Sequence, residues 1–324
     1  MLIGMHTARR IGRRLLEIGL TLLGVAILVF VTLRVVPGDQ ITASMGTEAG
    51  NLTPNQMAAL RAYYGIDQPL LGQFVGWLGS LASGNLGVSQ NTGQSVLDMT
   101  LSALPVTLEL ATLSTFIGLA IGIPLALLSA SRPNGGRDAV AQTVGLAALA
   151  IPSFLLGSMI LAYVSKVFHY NPNAEGFARL QEDPSLNLQQ MLFPALVLGF
   201  ALAAPIMRTA RSSLLEVQSQ DFVRTAHGKG VSPMRIRVRH VLRAALIPIV
   251  TMTGLQFGYL LGGAVVVEQI FSIPGMGRQV LLGLQQKEYA VVQSTVLIIA
   301  LLFVLVNLAT DQLYRVVDPR VRAT

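Results

Sequence analysis

The chain has 324 residues, 52% hydrophobic and only 12% charged, with a formal net charge of +7 and no cysteine. A soluble domain carries about 25% charged residues, so the composition excludes one and predicts a membrane-embedded chain with room for several spans. The missing cysteines exclude disulfides, thiolate metal sites and a cysteine nucleophile.

Residues 1–14 are basic and lead into an apolar stretch over 15–36. A signal peptide has an apolar core of about 7–15 residues followed by a small-residue cleavage site. This stretch is longer and ends in Pro37-Gly38-Asp39, so a retained first span is expected, with 1–14 as a cytoplasmic N-terminus. Five further segments reach the roughly 20 apolar residues a span needs: 104–130, 139–166, 190–214, 246–268 and 291–314. Backbone polar groups in lipid must be satisfied internally, so each is expected to be a helix. The short alternating segments of a β-barrel do not occur. The predicted fold is therefore all-α, a polytopic bundle of six transmembrane helices.

Lysine and arginine placement sets the orientation. With the N-terminus inside, seventeen of the 23 fall in cytoplasmic parts and six (Arg34, Arg61, Lys166, Arg179, Arg278, Lys287) in outer parts. Both termini are expected in the cytoplasm. The positive charge is thus a topology signal, and lipid rather than nucleic acid is the partner it implies.

The outer segment 37–103 is too long for a mere connection. Thr53-Pro54-Asn55-Gln56 reads as an N-cap with proline at the first helical position, predicting a helix to Tyr64 that stops at Gly65. A second amphipathic piece, Gln73–Leu81, carries Phe74 and Trp77. It suits either the lipid interface, where tryptophan is favoured, or a lip that meets an external partner. Further on, Phe271-Ser272-Ile273-Pro274-Gly275-Met276-Gly277 breaks the helix just outside the bilayer, and Val280–Leu284 favours a helix dipping back. Phe271, Pro274, Gly275 and Gly277 are candidates for an outer gate.

The polar island over 207–245 reads as a rigid hairpin: a short helix stopped by Gly230 and a second helix started by Ser232-Pro233. Ser219 or Asp221 can cap the first helix. Arg235, Arg239 and Arg243 are spaced i, i+4, i+8 along the second and would share one face. Without further information this is a solvated basic face; it also suits a docking element that passes force from a soluble partner into a bundle.

Other chemistry has little support. His6, His169, His227 and His240 show no metal-ligand spacing, and no His-Glu-x-x-His or Gly-x-Ser-x-Gly elbow occurs. No Gly-x-x-x-x-Gly-Lys-Ser/Thr is present either, so ATP would have to be bound elsewhere. Ionisable and polar residues within or at the ends of spans are candidates for a substrate path, because charge in lipid is costly: Glu109, Gln142, Gln256, Glu268, Asn307 and Asp311. Glu109 would alternatively reach outer water, Glu268 cap the Pro-Gly segment, and Asp311 pair with Arg315. Gly118, Gly122 and Ala126, and Gly254, Gly258 and Gly262, place small residues at i, i+4, i+8, for helix packing or for a subunit seam.

The island also carries a resemblance. Arg224-Thr225-Ala226 with Gly230, and later Ile247-Pro248, resembles the cytoplasmic loop of ABC-importer permeases, whose general pattern is Glu-Ala-Ala, three residues, Gly. The replacement of Glu by Arg224 and the longer Gly-to-Pro interval resemble the dipeptide/oligopeptide/nickel branch. Val36-Pro37-Gly38-Asp39, Tyr64-Gly65-Ile66-Asp67-Gln68-Pro69-Leu70, Gly84-Asn85-Leu86-Gly87, Leu104-Pro105-Val106-Thr107-Leu108-Glu109-Leu110, Glu268–Gly277 and the tail Asp318-Pro319-Arg320-Val321-Arg322 extend it over nearly the whole chain, which is similar to the B-type permease subunit.

That resemblance implies a MetI-like type I importer transmembrane domain over 15–324, multi-pass in the bacterial cytoplasmic membrane, with external segment 37–103 and coupling loop 207–245. It implies a non-enzymatic subunit forming half of a translocation path for short peptides or related solutes. The implied partners are a second, C-type permease, two ABC ATPases that bind ATP and Mg, and an external substrate-binding protein; no cofactor is expected in this chain. Asp221, Phe222, Val223, Arg224, Thr225, Ala226, His227, Gly228, Lys229 and Gly230 would be the ATPase-coupling residues. A self-contained secondary transporter or channel, which would show inverted repeats and broken helices, and a scaffold anchoring a soluble complex are the competing readings.

Overall fold

The structure, a computed structural model, describes residues 2–35, 41, 50–63, 67–168 and 176–317, with side chains from residue 12 to 312 of these. The predicted features at Pro37-Gly38-Asp39, Tyr64-Gly65, His169, the side chains of His6 and Arg315, and the tail 318–322 lie outside them. The described residues are helical almost throughout: α1 (Leu2–Val35), α2 (Pro54–Tyr63), α3 (Leu70–Ala82), α4 (Val96–Ser131), α5 (Gly136–Ala150), α6 (Ser153–Phe168), α7 (Pro184–Gln218), α8 (Asp221–Gly228), α9 (Pro233–Gly263), α10 (Val265–Ile270), α11 (Met276–Gln285) and α12 (Tyr289–Val317). Five are long and apolar enough to cross a membrane: Gly12–Val35, Val96–Ser131, Pro184–Gln218, Pro233–Gly263 and Tyr289–Gln312. A sixth crossing results if α5 and α6 are taken together.

The segment 139–166 is not the straight span the sequence predicts. It breaks between α5 and α6, whose axes meet at 91°. Ile151 adopts an extended conformation (φ −84°, ψ 115°), as a residue before proline prefers, and α6 starts at Ser153, directly after Pro152. Pro194, Pro205 and Pro248 lie inside α7 and α9 without ending them. The predicted span 246–268 is likewise corrected: α9 begins at Pro233, ends at Gly263, and α10 follows after Ala264. The helices α4, α7 and α12 also run past both predicted ends of their spans, so far less of 207–245 is loop than the polarity of the sequence suggests.

Contacts divide the chain into two units, residues 1–105 with 275–304, and 106–274 with 305–324; the boundaries fall inside α4, between α10 and α11, and inside α12. In the first unit, α1 packs on the start of α12 through Val29, Leu33, Tyr289 and Val292. On α1, Phe30 receives Phe74 edge-on (centroids 5.0 Å apart) and stacks on Trp77 at 6.1 Å. The Arg34 guanidinium lies 3.4 Å over the Phe30 ring and donates to Gln73 Oε1, a cation–π geometry. The aromatic face of α3 is therefore spent on packing, while Leu70, Leu71 and Val75 stay exposed. Thr53 and Gln56 cap α2 reciprocally: the Thr53 N–H donates to Gln56 Oε1 at 2.9 Å and the Gln56 N–H to Thr53 Oγ1 at 3.3 Å, a capping box.

In the second unit α7 is the spine, packed by α5, α6 and α9. The Asp183 carboxylate caps it through the N–H groups of Ser185 and Leu186, both at 3.0 Å; those donors hold Asp183 below the usual carboxylate range. Glycines let α4 meet it at backbone distance. A Cβ on Gly118 would sit 2.9 Å from Leu202 Cβ, and one on Gly199 would sit 2.6 Å from Ile117 and 2.9 Å from the Ser114 carbonyl. Packing accounts for Gly118 and Gly122; Gly254 likewise touches Thr310.

Gly199→Ala should destabilise this seam by about 1–3 kcal/mol, because Ile117 and a backbone oxygen stand in the way. Gly19→Ala, where the space is open, should not. Thermal unfolding of the two variants in detergent checks the difference; equal melting temperatures would refute the seam.

Candidate functional site

The hairpin between α7 and α9 is anchored rather than hung. Ser219 ends α7, its Oγ donating to the Glu216 carbonyl at 2.7 Å, and extended Gln220 is the N-cap of α8 with no side-chain bond. Neither Ser219 nor Asp221 caps α8 by its side chain. Asp221 sits exposed in the first turn, 3.7 Å from the Arg224 guanidinium. An exposed pair of that kind contributes little, although the carboxylate suits the helix N-terminus.

The C-terminal end closes as the sequence predicts. Gly230 has φ +76°, its N–H donates to the His227 carbonyl at 2.9 Å, and the Val231 N–H donates to Ala226 at 3.2 Å. These two bonds form a Schellman motif. Ala226 and Val231, its usual hydrophobic pair, both pack on the same core.

That core is a plug joining Val223 to Ala126 and Ala130 of α4, Ala141 of α5, Leu214 and Val217 of α7, and Ile236 and Val241 of α9. Val223 is only 3% exposed, whereas its neighbour Phe222 is 42% exposed. Arg224, Thr225, His227, Gly228 and Lys229 also face outward. One face of α8 is therefore fixed to four helices, and the other presents an aromatic ring among basic groups.

Ser232 is the N-cap of α9, again without a side-chain bond, and Pro233 takes the first position. Residues Ile236–Val241 are π-helical, which corrects the predicted α-register of Arg235, Arg239 and Arg243. With i→i+5 bonding, Ile236 and Val241 turn inward together, and the stripe continues at Ala245 and Ile249. The three arginines remain exposed.

Beside the plug lies a group the sequence reading missed. Asp138, 1% exposed, accepts from Ser129 Oγ at 2.5 Å, Gln142 Nε2 at 2.8 Å and Arg211 Nε at 3.0 Å on one oxygen. Its other oxygen accepts from the Asn134 N–H and Arg211 Nη2, each at 2.8 Å. Arg211 Nε is also 2.8 Å from Ser129 Oγ. Asn134 reaches this position with φ +60°. The one signal available was an aspartate three residues after Gly135 in an otherwise basic turn.

The predicted path residues have separate surroundings. Gln142 belongs to the Asp138 group. Glu109 receives Asn187 Nδ2 at 3.4 Å. Glu268 is fully buried and accepts from Thr107 Oγ1 at 2.9 Å, while its backbone carbonyl accepts from the Ile273 N–H at 2.8 Å. Gln256 is half-buried, Asn307 keeps a buried Oδ1 without a partner, and Asp311 is exposed. An apolar cavity of about 470 Å³ opens between Thr115 and Ile123 of α4, Leu246 and Phe257 of α9, and Val306 and Thr310 of α12; none of these path residues lines it.

Of the candidate gate, Phe271 is buried against Gly157 and Pro274 is exposed. Gly275 is the extended N-cap of α11, and Gly277 lies buried in that helix. Ser272, with φ +55°, supplies the left-handed residue after α10. No group of three His, Asp or Glu residues is placed to hold a metal among the described residues.

Residues 122–323 match the family described as binding-protein-dependent transport system inner membrane component, and residues 7–111 match the N-terminal family of such components. The dipeptide transport system permease protein DppB of Escherichia coli is 35% identical over 324 residues, covering 93% of this chain and 95% of that protein. The glutathione transport system permease protein GsiC, also of Escherichia coli, is 34% identical over 310 residues, 96% of this chain and 97% of that protein. A structure of the MetNI methionine ABC transporter in an inward-facing conformation shares the fold, with a TM-score of 0.55 at 19% identity over 68% of this chain and 97% of that one.

Val223→Ala removes the anchor and should loosen α8 by about 1.5–3 kcal/mol; Gly230→Ala should cost about 1–2 kcal/mol through its left-handed backbone. Tryptic cleavage after Arg224 and Lys229 in the detergent-solubilised chain should accelerate in both variants, with cleavage elsewhere unchanged. Cleavage at the native rate would show that α8 does not depend on the plug.

Proposed function

This chain belongs to the family of inner-membrane components of binding-protein-dependent transport systems, and from that premise we propose that it forms half of a pathway for short peptides, worked through α8. It is a permease subunit of an ABC importer, lies in the bacterial inner membrane, and leaves ATP hydrolysis to a separate component. Family membership favours this over a self-contained secondary transporter or channel. Peptide cargo is supported by the relatives named for dipeptide and glutathione, both peptidic.

The observation that carries the proposal is the two-faced α8. Val223 is held in a plug built from four helices while Phe222, Arg224, His227 and Lys229 project outward. A surface so fixed moves the bundle when a partner moves it, and an exposed aromatic among cations is the composition of an interface anchor. Two ATPase subunits carrying ATP and Mg would dock there and on the equivalent loop of a second, C-type permease, and an external binding protein would deliver the peptide. Asp221–Gly230 thus form the coupling element, with both chain termini in the cytoplasm and 15–324 as one transmembrane domain. ATP binding and hydrolysis would alternate access by favouring different states of the bundle. Phe271, Pro274, Gly275 and Gly277 would shape the outer gate. Glu109, Gln142, Gln256, Glu268 and Asn307 remain assigned to the path; the unpartnered amide oxygen of Asn307 is the one most in need of a polar solute.

Phe222→Ala should weaken ATPase binding by about 30-fold or more, and a Gly-Ser linker in place of Asp221–Gly230 should abolish it, each without loss of membrane-inserted permease. Co-purification from native membranes and ATPase activity in lipid vesicles measure this. ATPase subunits that stay bound to the linker variant would sink the proposal.

A further inference from the structure

We propose that Asp138 and Arg211 are positioning residues for transport: a clamp built on a buried carboxylate that makes the α7 end, and hence α8, move together with the α4–α5 corner. The inference rests on the reading of α8 as the site where ATPase motion enters.

The geometry is that of a fixed joint. The Asp138 carboxylate is 1% exposed and accepts from donors on α4 (Ser129), the α4–α5 turn (the Asn134 N–H), α5 (Gln142) and α7 (Arg211). Arg211 engages both oxygens, at 3.0 and 2.8 Å. A two-pronged guanidinium–carboxylate pair fixes direction as well as distance, whereas apolar contacts between helices permit sliding.

Placement gives the joint its use. Arg211 lies on α7 between Met207 and Leu214, which belong to the plug that holds Val223. Asp138 lies in the first turn of α5, next to Ala141 of the same plug. From there α5 runs to the 91° break at Ile151-Pro152. A displacement of α8 carried into α7 therefore reaches α5 through a directional bond. Stability alone gives a weak reason for an ion pair on a buried carboxylate, since apolar replacements of similar volume are frequently as stable.

The test compares Asp138→Asn, Arg211→Gln, Arg211→Lys and the double variant Asp138→Leu/Arg211→Met. Each is assembled with its ATPase, second permease and binding protein in proteoliposomes, with radiolabelled dialanine as the probe. Complex yield, ATP hydrolysis and dialanine uptake are measured together. The expected result is uptake per ATP hydrolysed that falls about tenfold in Asp138→Asn and Arg211→Gln while hydrolysis continues, with partial recovery in Arg211→Lys, which keeps the charge. The double variant should assemble yet stay uncoupled. Wild-type uptake per ATP in the single variants, or in the double variant where the singles fail to assemble, overturns the clamp and leaves the pair a folding element. A wild-type complex showing no ATP-driven uptake overturns the underlying reading of α8 and the clamp with it.

Discussion

Backbone-to-backbone contact between α4 and α7 is the constraint on which the larger unit rests. Lipid offers helices no hydrophobic incentive to associate, so close van der Waals approach has to supply it. Gly118, Gly122 and Gly199 provide that approach, with no room for a Cβ at the contact. Once α7 is seated, both of its faces are used: α5 and α6 pack on it, and α9 returns along it. The buried length of α7, broken by neither Pro194 nor Pro205, follows from being enclosed by protein on most sides.

At one end of that seam the core narrows to small side chains. Ala126, Ala130, Ala141, Ala210 and Ala245 bring the helices close, and Val223 is the piece that joins α8 to them. The polar network around Asp138 lies at the same level. Apolar contact sets the distance between the helices there and the carboxylate sets their direction, so the region that meets solvent is also among the most fully bonded parts of the chain. The first unit is organised differently, by aromatic packing of α3 on α1 and by side-chain bonds such as Gln279 Nε2 to Thr100 and Thr295, both at 3.1 Å.

The sequence made most of the spans, the Thr53 cap, the Gly230 stop and the Pro233 start legible, because each rests on local chemistry: composition over a helix length, or one residue at one backbone position. The break at Pro152 was not legible for a physical reason. Prolines occur inside uninterrupted helices at 194, 205 and 248, so a proline in an apolar run does not announce a bend. Asp138 was hidden because its partner Arg211 is 73 positions away and appeared only as one more cytoplasmic charge. Polarity likewise misled at the ends of α7 and α9, where helices continue past the apolar stretch because their inner faces stay apolar while arginines cover the outer ones. Glu268, in α10, illustrates the same limit: burial and the Thr107 bond are three-dimensional facts that an isolated acid in a hydrophobic run does not express.

The π-helical turn at Ile236–Val241 has a consequence for chain length. Each residue of an α-helix advances the side-chain direction by about 100°, and the wider turn absorbs one residue more than an α-turn would. Deleting one residue inside that turn would convert it to an α-turn and leave Ile236, Val241, Ala245 and Ile249 on one inward face at four-residue spacing, whereas inserting one would rotate everything from Ala245 to Gly263 and turn Ile249 away from α7. These six residues therefore take up one residue more than an α-helix needs while keeping the solvent-facing hairpin and the membrane-spanning part of α9 in phase. One residue fewer is tolerated there and one more is not, and a length comparison across related chains is where that asymmetry would show.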